Sequence, residues 1–295
     1  MKSSADSANS GEAVERTFEV PGLELAAREW GEPGGLPVIA LHGWLDNAGS
    51  FDLLAPELAG LHLIALDCAG HGLSGHRSPD AAYNVWQDVP EVFAVADYLG
   101  WDRFVLLGHS RGAAIASLAA GTFPERIASL VLIDGGIPIP GQPGEAPQRF
   151  AQSVASRQRQ RTDRGRVFPT REEAIQGRSR GFTETTYAAA EILARRSLRE
   201  AEGGYSWYVD QRLKSESELR LTPDQITDFM RAVKAPTLAL LASRSPLTKQ
   251  DRFVALLQEI PAIELTEIEG GHHLHLEDAV EEIARRIQHF LASVA

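Results

Sequence analysis

A serine framed by glycines stands where a strand meets a helix. Residues 108–112 are Gly-His-Ser-Arg-Gly, and they separate an apolar run at 104–107 from a small-residue, helix-compatible run at 113–120. A serine at such a sharp turn is held in a strained backbone conformation, and the glycines two positions away let strand and helix approach closely. The pattern therefore predicts that Ser110 is a nucleophile at a nucleophile elbow. A glycine-flanked turn without chemistry is the alternative.

A histidine-rich loop near the end of the chain offers a general base. Residues 270–277 are Gly-Gly-His-His-Leu-His-Leu-Glu. A base must reach the serine hydroxyl from a loop, and the preceding glycines favour His272, with His273 as the alternative. These two residues and His275 also suggest zinc, but no cysteine accompanies them and Glu277 is the only obvious carboxylate. We predict that His272 is the base and that no metal is bound.

A carboxylate is needed to orient the base, and two positions offer one. In a Ser-His-acid site of this kind the chain order is serine, acid, histidine. Asp134 directly follows the apolar run at 130–133, whereas after the run at 237–241 the first carboxylate is Asp251. We predict Asp134 as the acid and keep Asp251 as the alternative. A structural role for Asp134 in the glycine loop that follows it is also open.

Two further loops follow apolar runs. Residues 42–47 are His-Gly-Trp-Leu-Asp-Asn, and the backbone N–H groups of Trp44 and Arg111 are predicted to form an oxyanion hole. The side chain of His42 is interpreted as structural, bonded to the backbone of its turn. Residues 67–74, with three small residues and an aspartate, predict a tight loop whose carboxylate binds local backbone N–H groups.

The order of the elements predicts an α/β protein. Two short strands around a Pro-Gly turn at 21–22 begin the pattern, and a helix over 280–291 closes it. Between them, helix-compatible stretches alternate with short apolar runs, which predicts a parallel sheet with helices on both faces. The apolar runs are 38–41, 61–66, 104–107, 130–133, 237–241 and 263–268, and the helix-compatible stretches are 51–58, 85–99, 113–120 and 251–257.

The sequence also predicts how the chain is divided. Residues 1–16 lack an apolar stretch and are predicted to be a disordered leader. Residues 17–136 and 234–295 carry the strand and helix pattern of the α/β core. Residues 137–233 lack buried-strand runs and are predicted to form a mostly helical cap over the carboxyl edge of the sheet.

Composition limits the classes of partner. The 295 residues include 40 acidic and 29 basic side chains, and the formal charge of -11 disfavours nucleic acid and anionic membranes. The single cysteine, Cys68, excludes an internal disulfide, and no run approaches the roughly 18 apolar residues of a membrane span. We predict a cytoplasmic protein without cofactor or metal that acts on a small-molecule substrate. The oligomeric state stays open.

These motifs together resemble the α/β-hydrolase fold superfamily over residues 18–295, and within it most resemble the serine hydrolase-like proteins. The resemblance implies an eight-stranded, mostly parallel sheet and a catalytic triad of Ser110, His272 and Asp134. Two features depart from the superfamily pattern. Ser245 stands where the acid after the penultimate strand is usual, and Arg111 replaces a more common apolar residue, which suggests a polar or anionic group near the site.

The residues and the resemblance predict a cofactor-independent serine esterase. It would cleave a small to medium carboxylic ester, or a lactone or thioester, through an acyl-enzyme on Ser110. Perhydrolysis and carbon-carbon bond hydrolysis use the same kind of triad and remain open. An alternative from another class is a ligand-binding module on a hydrolase scaffold, with little or no turnover.

Overall fold

The structure of the chain, a computed structural model, describes residues 11–160, 165–181, 183–247 and 249–294. Within these residues the strands are β1 (Val14–Val20), β2 (Leu23–Trp30), β3 (Leu36–Leu41), β4 (Leu61–Leu66), β5 (Phe104–His109), β6 (Ile127–Ile133), β7 (Val167–Phe168), β8 (Leu198–Ala201), β9 (Gly204–Trp207), β10 (Thr237–Ala242) and β11 (Ile263–Ile268). The helices are α1 (Val89–Tyr98), α2 (Arg111–Thr122), α3 (Ala146–Gln160), α4 (Arg171–Ser179), α5 (Tyr187–Ser197), α6 (Pro223–Ala232), α7 (Asp251–Leu257) and α8 (Val280–Val294).

Eight strands form the main sheet, in the order β1-β2-β4-β3-β5-β6-β10-β11. Strand β2 is antiparallel to β1 and β4, and the remaining neighbours are parallel. Strands β4, β5 and β10 are buried along their whole length, as continuous apolar runs are in a sheet covered on both faces. The predicted sheet of eight mostly parallel strands is confirmed.

The parallel register brings several loops to one edge of the sheet. Leu41 at the end of β3 lies opposite Gly108 of β5, and His109 at the end of β5 lies opposite Ile133 of β6. Because parallel strands end on the same side, the loops after β3, β5 and β6 meet there. The residues singled out in the sequence follow these strand ends.

Helices cover both faces of the sheet. Val92 of α1, Ile115 of α2 and Met230 of α6 share one buried apolar cluster, whereas Ile283 and Phe290 of α8 belong to the cluster on the other face. The predicted helix over 51–58 is wrong. The chain forms two short 3₁₀ helices there, because a proline at position 56 has no N–H to donate and interrupts a continuous α-helix.

The beginning of the chain corrects the predicted leader. Strand β1 starts at Val14 and pairs with β2 through a turn at Gly22, which has a φ of 77°. Residues 14–16 are therefore part of the sheet, because their backbone groups pair with β2. Residues 1–10 lie outside the described residues.

The segment between β6 and β10 differs from the predicted mostly helical cap in two ways. Besides α3, α4 and α5 it contains a small antiparallel sheet of order β7-β9-β8, whose strands are too short to show a clear sequence period. Its last helix, α6, packs on α2 of the core: Ile226 and Met230 lie in the core cluster, and Gly121 lies against the Phe229 carbonyl. The predicted cap, residues 137–233, therefore wrongly includes α6, which packs with the core.

None of the described helices is both long enough and apolar enough to cross a membrane.

Candidate active site

Ser110 occupies a strained turn between β5 and α2. Its φ of 51° and ψ of -114° are unusual for a residue with a side chain, and its N–H donates to the Ile133 carbonyl at 3.0 Å. The neighbouring positions must be glycines because a side chain there would clash with the backbone. A Cβ on Gly112 would lie 2.0 Å from the Leu41 carbonyl oxygen, and one on Gly108 would lie 2.5 Å from the Ala113 nitrogen. The close approach of strand and helix therefore holds the serine in place.

The structure brings the three predicted side chains into one hydrogen-bonded line. His272 Nε2 lies 2.9 Å from Ser110 Oγ, and His272 Nδ1 lies 2.5 Å from Asp134 Oδ2. A carboxylate accepts, so Nδ1 carries the proton and Nε2 offers a lone pair to the serine hydroxyl, an assignment that follows from the hydrogen-bond partners. This arrangement can remove the serine proton and hold the resulting imidazolium.

Asp134 is fixed by the sheet from which it emerges. Its φ is 38°, its N–H donates to the Leu240 carbonyl at 2.8 Å, and its second carboxylate oxygen accepts from the Ala242 N–H at 3.0 Å. The side chain is fully buried. Asp251, the alternative acid, is instead an exposed residue that begins α7. The His272 hydrogen bond is to Asp134.

The other histidines of the loop have different partners. His273 is buried with Nε2 3.3 Å from Asp46 Oδ2, and His275 Nε2 lies 2.8 Å from Ser50 Oγ. Neither is hydrogen-bonded to Ser110. Across the described ranges, no group of three or more His, Cys, Asp or Glu residues is placed to hold a metal ion.

Two histidines beside His272 are kept neutral by their surroundings. Burial lowers the pKa of His109 well below its ordinary value, and the rings of His275 and His272 lower it further. Burial also lowers the pKa of His275 to about 3, with a smaller effect from His273. At pH 7 neither ring carries a positive charge that would oppose protonation of His272.

The two residues predicted to form the oxyanion hole lie at the starts of neighbouring turns. Arg111 begins α2, where the first N–H groups of a helix have no intrahelical acceptor. Trp44 precedes Leu45, whose φ is 62°, and its indole Nε1 donates to the Leu213 carbonyl at 3.0 Å. The partly buried Arg111 guanidinium donates to Asp88 at 2.6 Å. The sequence suggests a polar or anionic group near Arg111. In the structure the anionic group beside Arg111 is the carboxylate of Asp88.

The His42 side chain and the 67–74 loop, which the sequence interprets as structural, bind backbone groups. His42 Nδ1 donates to the Gly43 carbonyl at 2.7 Å, and His42 Nε2 accepts from the Cys68 N–H at 3.0 Å. Asp67 accepts from the backbone N–H groups of Ala48 and Leu73 at 2.6 and 2.7 Å. The predicted bonds to local backbone are those of His42 to Gly43 and of Asp67 to Leu73, whereas the bonds to Cys68 and Ala48 join separate loops.

Sequence reasoning missed a polar cluster next to the site. Arg178 of α4 lies 2.5 Å from Asp46, which is buried beside His273 and His109. Burial alone would raise the pKa of Asp46, but the Arg178 guanidinium and His273 hold it well below its ordinary value. Arg178 and Asp46 are 132 positions apart, so no local pattern signals the contact.

The residues between β6 and β10 attach to loops around the site. Besides the Arg178 and Trp44 contacts, Asn47 donates to the Leu193 carbonyl at 2.9 Å, and Glu277 accepts from the Thr185 hydroxyl at 2.7 Å. The loops that carry Trp44 and His272 are therefore both held by this inserted segment.

Comparisons with known proteins identify the family of this chain. A family model described as alpha/beta hydrolase fold matches residues 37–279. A serine hydrolase-like protein of Danio rerio is 30% identical over 293 residues, which cover 95% of this chain and 88% of that protein.

Solved structures give the same result. A hypothetical protein from Pseudomonas aeruginosa PAO1 is 46% identical, with a TM-score of 0.89 over 95% of this chain and 98% of that chain. The thioesterase domain from the curacin biosynthetic pathway has a TM-score of 0.83 at 24% identity, covering 94% of this chain and 99% of that one, a likeness of fold alone. The chain belongs to the α/β-hydrolase fold family and, within it, to the serine hydrolase-like proteins.

Proposed function

We propose that this hydrolase cleaves a small to medium carboxylic ester, or a lactone or thioester, through an acyl-enzyme on Ser110. The observation that supports the proposal is the hydrogen-bonded line from Ser110 through His272 to Asp134 at the strained end of β5. A serine hydroxyl is a weak nucleophile unless an adjacent base removes its proton, and this geometry supplies the base and its orienting acid.

Ser110 Oγ attacks the acyl carbon while His272 Nε2 takes the hydroxyl proton. The carbonyl oxygen becomes an oxyanion that the N–H groups of Trp44 and Arg111 stabilise, and Asp134 stabilises the imidazolium. His272 then gives its proton to the leaving oxygen or sulfur as the carbon–heteroatom bond breaks. Water, deprotonated by the same histidine, attacks the acyl-enzyme, and the products are the free acid and Ser110 with its hydroxyl restored.

The inserted segment is proposed to act as a cap. Its contacts with Trp44 and Asp46 reach the loop after β3, which carries one proposed oxyanion donor. Acyl and alcohol preference therefore depends on this segment. The cytoplasmic location and the exclusion of a nucleic-acid partner remain predictions from composition.

The proposed nucleophile is tested by Ser110→Ala. We expect hydrolysis of p-nitrophenyl acetate to fall by several powers of ten, because the acyl-enzyme cannot form. A fluorophosphonate probe should label the wild-type protein and leave the variant unlabelled. Ser293→Ala, a change in the last turn of α8, is the matched control and should keep both ester hydrolysis and probe labelling.

Three outcomes would change the assignment. A Ser110→Ala variant with ordinary turnover would rule out the acyl-enzyme on this residue. No labelling of the wild-type protein, together with tight binding of an ester analogue, would favour a ligand-binding module. A panel of esters varied separately in acyl and alcohol length would define the substrate class, and a panel without any turnover would contradict the ester proposal.

A further inference from the structure

His109, the residue before the proposed nucleophile, reaches the backbone of the proposed base. Its Nε2 lies 2.9 Å from the carbonyl oxygen of His272, and its side chain is fully buried. A carbonyl oxygen can only accept, so Nε2 carries the proton and donates it. His109 therefore binds the main chain of His272, and the side chain of His272 binds Ser110, the residue that follows His109.

The imidazole of His109 is held in this orientation from several sides. Its ring centroid lies 4.1 Å from that of His275 and 4.8 Å from that of His272. The backbone of Gly43 closes another side, because a Cβ there would lie 2.9 Å from His109 Nδ1. Nδ1 itself is buried without a hydrogen-bond partner among the described residues and lies 3.8 Å from Asp46 Oδ2. The bond from Nε2 to the His272 carbonyl is therefore the hydrogen bond that this ring makes among the described residues.

The loop that carries His272 is held by the inserted segment at Glu277, but His272 itself directly follows two glycines. The loop begins at Gly270, with a φ of 157°, and continues through Gly271, so its backbone has more freedom than a segment of larger residues. The distance between His272 Nε2 and Ser110 Oγ depends on that backbone. A misplacement of about 1 Å can cost on the order of 100-fold in rate.

We propose that His109 is a positioning residue: by donating Nε2–H to the His272 carbonyl, it fixes the catalytic base relative to the serine that follows it in the chain. The inference rests on the proposed function. Because His109 and Ser110 are consecutive, the nucleophile and the restraint on its base share one rigid strand end. The separation of the reacting groups is then set locally, although the residues are 162 positions apart in sequence.

The test compares two amides at position 109. In His109→Gln the side-chain nitrogen is separated from Cβ by as many bonds as imidazole Nε2, so it can donate to the His272 carbonyl. In His109→Asn the nitrogen falls at the place of Nδ1, which faces Asp46 and cannot reach that carbonyl. Both variants are polar and smaller than or similar to histidine, so they form a matched pair. His109→Leu removes every donor.

Each variant is assayed per active site, with sites counted by fluorophosphonate titration. We expect kcat to fall about 10- to 100-fold in the Asn and Leu variants with KM little changed, and the Gln variant to recover most of that loss. A merely structural role would lower the number of active sites and leave the rate of each site unchanged. If the Leu variant does not fold, the Gln and Asn pair still decides.

Equal per-site kcat in the Asn, Gln and wild-type proteins would overturn the inference. That failure is distinct from a failure of the proposed function, which Ser110→Ala tests separately. If Ser110→Ala abolishes labelling and turnover while the Asn variant is unimpaired, the acyl-enzyme stands and His109 has no positioning role.

Discussion

Two buried aspartates lie beside consecutive histidines of the same loop, and they have different surroundings. Asp134 is bonded to His272 and to the backbone N–H of Ala242. Asp46 lies 3.3 Å from His273 and 2.5 Å from the Arg178 guanidinium. Within the described part of the chain, the ion-pair partner of Asp134 is His272, whereas Asp46 already has an arginine.

The difference shows how one fold gives similar carboxylates separate roles. A carboxylate that is already paired with a guanidinium is stabilised less by a second positive charge. The ion pair of Asp46 with Arg178 is therefore suited to holding α4 against the loop after β3. Among the residues that the structure describes, Asp134 has no arginine partner, so an imidazolium formed on His272 would supply its counter-charge. The partner, more than burial, distinguishes Asp134, the proposed catalytic acid, from Asp46, which is paired with Arg178.

The largest effect is expected from Asp134→Asn. The amide keeps the shape of the side chain but can stabilise the wrong tautomer of His272 and cannot stabilise its charge. We expect kcat for ester hydrolysis to fall by about 10³- to 10⁴-fold. Asp251→Asn is the matched control and should hydrolyse the ester at the wild-type rate. The reverse pattern would assign the acid to Asp251.

Asp46→Asn should act mainly on stability. It leaves the Arg178 guanidinium, whose side chain is 12% exposed, without its carboxylate. We expect the free energy of unfolding in urea to fall by about 3–5 kcal/mol, and kcat per active site to fall far less than in Asp134→Asn. Asp46→Asn combined with Arg178→Met should recover part of the stability.

The comparison fails if Asp46→Asn loses as much kcat per site as Asp134→Asn. In that case Asp46 would contribute directly to the reaction. Unchanged stability would show that the Arg178 contact contributes nothing to holding the segment.

A smaller effect is expected from pH on the stability that Asp46 contributes. Arg178 and His273 depress the pKa of Asp46 below the ordinary value of 3.8, against the opposing effect of burial. The unfolded chain therefore binds this proton first, and the stabilisation is complete above pH 3.8 and decreases as pH falls towards the lower folded pKa. The stability gap between wild type and Asp46→Asn should narrow over that range in urea titrations. A constant gap would contradict the depressed pKa.

Local pattern predicted the elbow because all its determinants lie within a few residues. A buried strand, two glycines and a helix start specify the turn around Ser110. The glycines before His272 indicate a loop whose imidazole can reach the serine hydroxyl. The inserted segment was less predictable. Strands β7, β8 and β9 contain two to four residues, too few to show an alternating pattern. Helix α6 packs on the core through Ile226 and Met230, although it follows the inserted segment in the chain.

The sequence by itself determined the order of the strands of the main sheet along the chain and the residue types that follow each of them, because hydrophobic period and turn chemistry are local properties. Tertiary structure decided which of these residues meet. His272 bonds Asp134 at a separation of 138 positions, Asp46 bonds Arg178 at 132, and His109 bonds the His272 carbonyl at 163. Such contacts depend on sheet register and loop path, which are set by packing of the whole chain.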